Sequence, residues 1–214
     1  MLKSVTAALA ATAGLALVAA PALASAPYTV AYDGDTSGAS HSTTWTAKGD
    51  TILSANGNTY TCSNSQLTTT VHTGTNATGN DIADVTAATW TGCTFTGLLN
   101  ATVTVTSPSW HFNATGGNTS GTSDTISGTL TNISNVSIDI AGPFGDCTFN
   151  VSGSVGGSLA EDNGKGGQEL DVSSSNLAVS NVNNAFTCLG LVSNGNAATF
   201  AGSYNVPGQH LNIS

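Results

Sequence analysis

Four histidines, His41, His72, His111 and His210, are the side chains best suited to acid–base work in this chain. Serine is abundant, so a Ser-His-Asp constellation could assemble from distant positions. The local signature of a serine hydrolase, G-x-S-x-G on a strand-to-helix elbow, is absent. The histidines are scattered, and the expectation is that they are exposed or packed rather than catalytic. A glycosidase would need two convergent carboxylates. Half of the acidic residues instead sit beside Gly or Asn, as in Asp33-Gly34-Asp35 and Asp162-Asn163-Gly164, which is turn chemistry.

The sharpest metal candidate is calcium. Asp33-Gly34-Asp35-Thr36-Ser37-Gly38 opens like a D-x-D-x-S-G loop, with Asp33, Asp35 and Ser37 as oxygen ligands. The twelfth place, which requires a bidentate glutamate, is Thr44, and no flanking helical pattern exists. A solvated turn is therefore expected, with no catalytic residue, no metal and no cofactor assigned. Trp45, Trp90 and Trp110 could form a sugar platform, but large aromatics more often dominate a core. Asn-x-Ser/Thr sequons at Asn76, Asn100, Asn113, Asn132, Asn135, Asn150 and Asn212 follow from a chain rich in these residues.

The cysteines speak more clearly. Cys62, Cys93, Cys147 and Cys188 make an even count, which reads as two disulfides in an exported chain. Three pairings are open, and the local one, Cys62–Cys93 with Cys147–Cys188, is favoured. A zinc site is a poor rival because no C-x-x-C spacing occurs. Export is expected from the first segment: Lys3, an apolar stretch from Val5 to Ala20, then Pro21-Ala22-Leu23-Ala24. We place the cut after Ala24, because cutting after Ala26 would leave Pro27 first. Residues 1–24 are thus read as a signal peptide and 25–214 as one all-β domain, or two β half-domains at about 25–115 and 116–214. No cysteine lies near the cut to carry lipid, and the C-terminus shows no anchoring signal.

The formal net charge is −9 and there is no arginine. Lys48 and Lys165 are the only basic side chains after the leader. Nucleic acid and anionic lipid, which both require cationic side chains, are thereby disfavoured as partners.

Thr, Ser, Asn, Gly and Val dominate, and strong helix formers are scarce. Ala101-Thr102-Val103-Thr104-Val105-Thr106 alternates apolar with polar, and Ser137-Ile138-Asp139-Ile140 does the same. Turn signals separate such runs: Asp33-Gly34, Asn56-Gly57, Gly116-Gly117, Gly156-Gly157, Asn163-Gly164 and Asn194-Gly195. The segment from Gly153 to Gly167 reads as an exposed hairpin tip. The fold expected is an antiparallel β-sandwich stapled by two disulfides. A lipid-facing barrel would need apolar residues outward, which Thr and Ser fit poorly. Cys93-Thr94-Phe95 and Cys147-Thr148-Phe149 hint at an internal duplication.

The order Ser107-Pro108-Ser109-Trp110, Asn113, Ile126-Ser127-Gly128, Ala141-Gly142-Pro143, Cys188-Leu189-Gly190-Leu191 and Thr199-Phe200-Ala201-Gly202-Ser203-Tyr204 resembles a family of small secreted actinobacterial proteins of unassigned function. The resemblance covers roughly Tyr60 to the C-terminus and implies an exported two-disulfide β fold with no catalytic residue to carry over. Asn196 stands where that pattern has an aspartate after Gly195. A fainter similarity to secreted activators of alkane oxidation implies a role at hydrocarbon or cell-surface interfaces.

The sequence thus predicts a secreted or cell-surface, non-enzymatic β protein with a structural or binding role. One alternative is a module for hydrocarbon or amphiphile, which would show an apolar patch or a dry internal pocket. Another is a small hydrolase, which would show a histidine within hydrogen-bond reach of a serine, or a protease inhibitor. Its partner would be a cell-envelope component or an apolar small molecule.

Overall fold

A computed structural model of the chain describes residues 28–76, 78–117, 125–143, 145–161, 167–183, 188, 190–207 and 211–214. The expected leader, His210, Lys165 and the Asn163-Gly164 turn signal lie outside these residues.

Every described element is a strand. In chain order they are β1 (Tyr28–Tyr32), β2 (Ser40–Ala47), β3 (Thr51–Ala55), β4 (Asn58–His72), β5 (Gly74–Asn76), β6 (Ala83–Phe95), β7 (Leu99–Val105), β8 (Trp110–Gly117), β9 (Thr125–Ile140), β10 (Cys147–Ala160), β11 (Gly167–Asn183), β12 (Ala197–Pro207) and β13 (Leu211–Ile213).

The strands close on themselves, which corrects the expected sandwich. β2 and β3 run end to end beside β4, forming one stave of the wall. β7 and β8 do the same between β6 and β9. β10, β11 and β12 follow as sequential antiparallel neighbours, and β12 pairs back onto β2 and β3 through Tyr204↔Ala47 and Phe200↔Leu53. The result is an up-and-down barrel of eight staves, drawn from both sides of the half-domain boundary considered above. Closure removes the edges an open sheet would expose. Alternation looks the same in a sandwich and in a small barrel, so period alone could not separate them.

Local chemistry sets the hairpins. At Asn56-Gly57 both residues take positive φ, 50° and 76°, the type I′ geometry that joins β3 to β4 with the right twist. Other glycine pairs are not turns. Gly116-Gly117 lies in β8 and Gly156-Gly157 in β10, so the expected hairpin tip from Gly153 onward is wall up to Ala160. A Cβ on Gly157 would stand 2.0 Å from the Asp171 carbonyl oxygen, so the glycine lets β10 and β11 approach at an irregular register.

Inward residues are apolar on every stave: Trp45, Leu67, Val85, Trp110, Ile126, Val151, Leu177 and Tyr204 are all buried. Thr129, Ser137, Asp139, Thr148, Asn150, Ser152 and Asp171 alternate with buried neighbours and are partly exposed. This is the inverse of a lipid-facing barrel, whose outer band is apolar. Phe95 and Phe149, delivered by the repeated Cys-Thr-Phe, both pack on Tyr60, with ring centroids 4.9 Å and 5.5 Å away.

Both ends are covered. A second sheet, β13-β1-β5, lies at one end. It is pinned there by the buried Gln168, whose Nε2 donates to the Leu211 carbonyl, and by the buried Glu161, which accepts from the Ile213 N–H and from Asn212 Nδ2. At the other end the segment around Val192 is held by Asn58 Nδ2 donating to the Leu191 carbonyl at 2.8 Å. Disulfides join Cys62 to Cys93 across β4 and β6, and Cys147 to Cys188 at that same end. Two disulfides fit an oxidising compartment.

Candidate functional site

The barrel interior is not filled. Its inward side chains leave a cavity of about 110 Å³ bounded by Leu53, Val71, Leu130, Val155, Val172 and Leu177, with Leu211 of the end sheet against it. A comparable engineered cavity, roughly 150 Å³ and lined by Leu, Ile and Phe, stays dry and takes benzene. The cause is stave number. Eight staves give an interior just wide enough for side chains or one small ligand, and Gly128, Gly156 and Gly157 lie on its wall where a Cβ would meet Phe112, Ser174 or the Asp171 carbonyl.

Three indoles mark the cavity. Trp45 Nε1 donates to Thr69 Oγ1 at 3.0 Å, and Trp110 Nε1 to the Ser134 carbonyl at 3.2 Å. Trp90 packs against Trp110 and Phe200 at centroid distances of 6.4 Å and 6.2 Å. Its Nε1 is shut off from solvent and lies near enough to the Tyr204 hydroxyl to act on it. The one phenol on the lining, Tyr204, shares a 2.8 Å hydrogen bond with buried Ser65. Burial pushes the Tyr204 pKa up to about 12, opposed by the hydrogen-bonding influence of Ser65 and of the Trp90 indole. Among the described residues the lining is apolar apart from Thr69 and the Tyr204, Trp45, Trp90 and Trp110 polar atoms, a surface suited to holding an apolar molecule.

Comparison with family models, with curated proteins and with solved structures gives no match to this chain. The reading therefore rests on geometry.

The other candidates lie elsewhere. Asp35 accepts the Ser37 N–H at 2.8 Å on Oδ1 and faces His41 Nε2 at 2.7 Å through Oδ2. The Ser37 backbone contact, then the Ser37 hydroxyl and His41, hold its carboxyl below the usual range. Asp33 takes φ 49° in the tight turn closed by Tyr32 and Asp35. The Asp33, Asp35 and Ser37 set thus builds a turn, and Asp35 is engaged within it. Trp45 and Trp110 are buried and Trp90 partly so, a core role rather than a platform. Among the sequons, the Asn76, Asn113 and Asn212 side chains are engaged in hydrogen bonds, while Asn132 and Asn135 are exposed at positive φ.

One arrangement meets a condition set from the sequence. Ser40 Oγ lies 3.1 Å from His72 Nδ1, and His72 Nε2 lies 2.8 Å from Asp84 Oδ2. A carboxylate oxygen accepts, so Nε2 carries the proton and Nδ1 accepts from the Ser40 hydroxyl. This is the connectivity of a hydrolase triad with the ring nitrogens exchanged. It lies on the outer wall, since its strand neighbours Val71 and Ala83 are the residues that line the cavity. Sequence reasoning offered an internal pocket only as the mark of the hydrocarbon alternative and named none of its lining, and it missed the neighbouring Asp81, Asp84 and His111 group. That group had only Asp81-x-x-Asp84 as a signal, with His111 brought in by a cross-strand pairing.

Proposed function

We propose that this protein is a secreted or cell-surface, non-enzymatic binding barrel for a small apolar molecule, of the size of a six-carbon ring or the end of an alkyl chain. The apolar cavity carries the reading. The polar outer wall supports a protein that works in water, and the two disulfides support export. The lining is almost wholly apolar, so the favoured ligand class is a plain hydrocarbon. A ligand this small binds at about −4 to −8 kcal/mol, a Kd between millimolar and micromolar.

Calorimetric titration of the mature protein with benzene and cyclohexane tests this. One saturable site per chain is expected, lost in Val172→Phe, whose ring would occupy the cavity. Binding that does not saturate, or that survives the filled cavity unchanged, contradicts it.

The Ser40–His72–Asp84 chain supports a second reading, a hydrolase acting at the outer wall. Turnover of small activated esters that disappears in Ser40→Ala would establish it.

A further inference from the structure

We propose that the outer wall carries a binding site for a divalent transition-metal ion, zinc in the first instance, formed by Asp81, Asp84 and His111. Three donor atoms converge there. His111 Nδ1 lies 2.7 Å from Asp81 Oδ1 and 2.6 Å from Asp84 Oδ1, and all three lie within 4.8 Å of one another. One ring nitrogen carries at most one proton. It can satisfy one of these oxygens well, and the second carboxylate is left facing it. A cation between the three donors satisfies them all.

Among the described residues no lysine or arginine reaches these carboxylates. The chain has no arginine, and among the described residues its one lysine, Lys48, is engaged with Glu169 at 2.8 Å. Two carboxylates this close repel each other unless a positive charge is brought in.

The donors are also held as metal ligands are. Asp84 and His111 are direct cross-strand partners on β6 and β8. Asp81 sits in the turn before β6, its N–H donated to Asn113 Oδ1 at 2.9 Å. Asn113 Nδ2 donates in turn to Thr131 Oγ1, which donates to the His111 carbonyl. The second oxygen of Asp84 accepts from His72, and His72 is oriented by Ser40. Such outer partners fix ligand orientation. Under this proposal the Ser40–His72 pair positions Asp84.

The donor chemistry selects the ion. Imidazole nitrogen with two carboxylates suits zinc and its neighbours, whereas calcium takes oxygen alone. Zinc bonds of about 2.0–2.2 Å would spread the donors by roughly half an ångström and leave a fourth position for water.

The test is equilibrium titration of the mature protein with zinc chloride alone, with calcium chloride in parallel. One zinc per chain at micromolar Kd is expected, with calcium at least a hundredfold weaker. His111→Gln and Asp84→Asn should each weaken zinc at least tenfold, and His41→Gln should leave it unchanged. Should a variant fail to fold, the imidazole nitrogen resonances of the unmutated protein decide: zinc must move those of His111 and not those of His41. No saturable binding below 1 mM, binding indifferent to His111→Gln, or equal affinity for calcium would overturn the proposal.

Discussion

Trp90 on β6 and Phe200 on β12 meet edge to face, with ring centroids 6.2 Å apart and planes at 89°. Their strands are not ladder neighbours, so the contact crosses the lumen. It places both rings on the cavity lining. Trp90→Ala would remove the indole from a packed site and should cost about 3–5 kcal/mol of stability, read as a lower urea midpoint. A variant as stable as the wild type would show that the two rings do not pack on each other.

Tyr60 offers the reverse case. Its ring is buried between Phe95 and Phe149, and its hydroxyl has no partner among the described residues. An unsatisfied buried hydroxyl costs more than it returns. Tyr60→Phe should stabilise the protein by about 1 kcal/mol, read as a higher urea midpoint at unchanged slope. A destabilised variant would show that the hydroxyl has a partner.

Alkali should unfold the barrel through its phenols. Burial raises the Tyr204 pKa to about 12 and lifts Tyr60 further. A raised acid pKa means the native state holds its proton where the unfolded chain has lost it. The corresponding stability is complete below pH of about 10 and is lost as pH climbs through the native values. Tyr204 alone accounts for about 2–3 kcal/mol between pH 10 and 12. Urea midpoints should be flat from pH 8 to 9.5 and fall steeply above 10, and the fall should shrink in Tyr204→Phe.

The disulfide at the barrel's end closes the longer loop, Cys147 to Cys188 with a separation of 41 residues. Chain entropy assigns it about 4 kcal/mol. Replacing both cysteines by alanine should lower unfolding free energy by that amount. Gly157→Ala should cost more than an ordinary exposed substitution, because its Cβ meets backbone rather than a movable side chain. Thermal midpoints of the two variants test these expectations.

Strand content was legible because Ala101–Thr106 and Ser137–Ile140 place their polar residues on the wet face with a strict period of two. Asn56-Gly57 marked a real hairpin for the same local reason. Closure was not legible. It depends on Tyr204 finding Ala47 and Phe200 finding Leu53, pairings about 150 residues apart in register that no local pattern encodes. Glycine pairs misled because Gly156-Gly157 serves close strand approach, not a turn. The cavity could not be seen from composition, since an empty interior and a filled one need the same alternation. The Asp81, Asp84 and His111 group escaped because its nitrogen donor arrives through β8.

The central claim is that a small apolar molecule enters the barrel. Nuclear Overhauser contacts between bound benzene and the protein's methyl groups test it most directly. The account predicts contacts to Val155, Val172 and Leu177 on the inner wall and none to exposed Leu98. Contacts confined to outer-wall methyls such as Leu98 and Ile52, or none at saturating benzene, would contradict it.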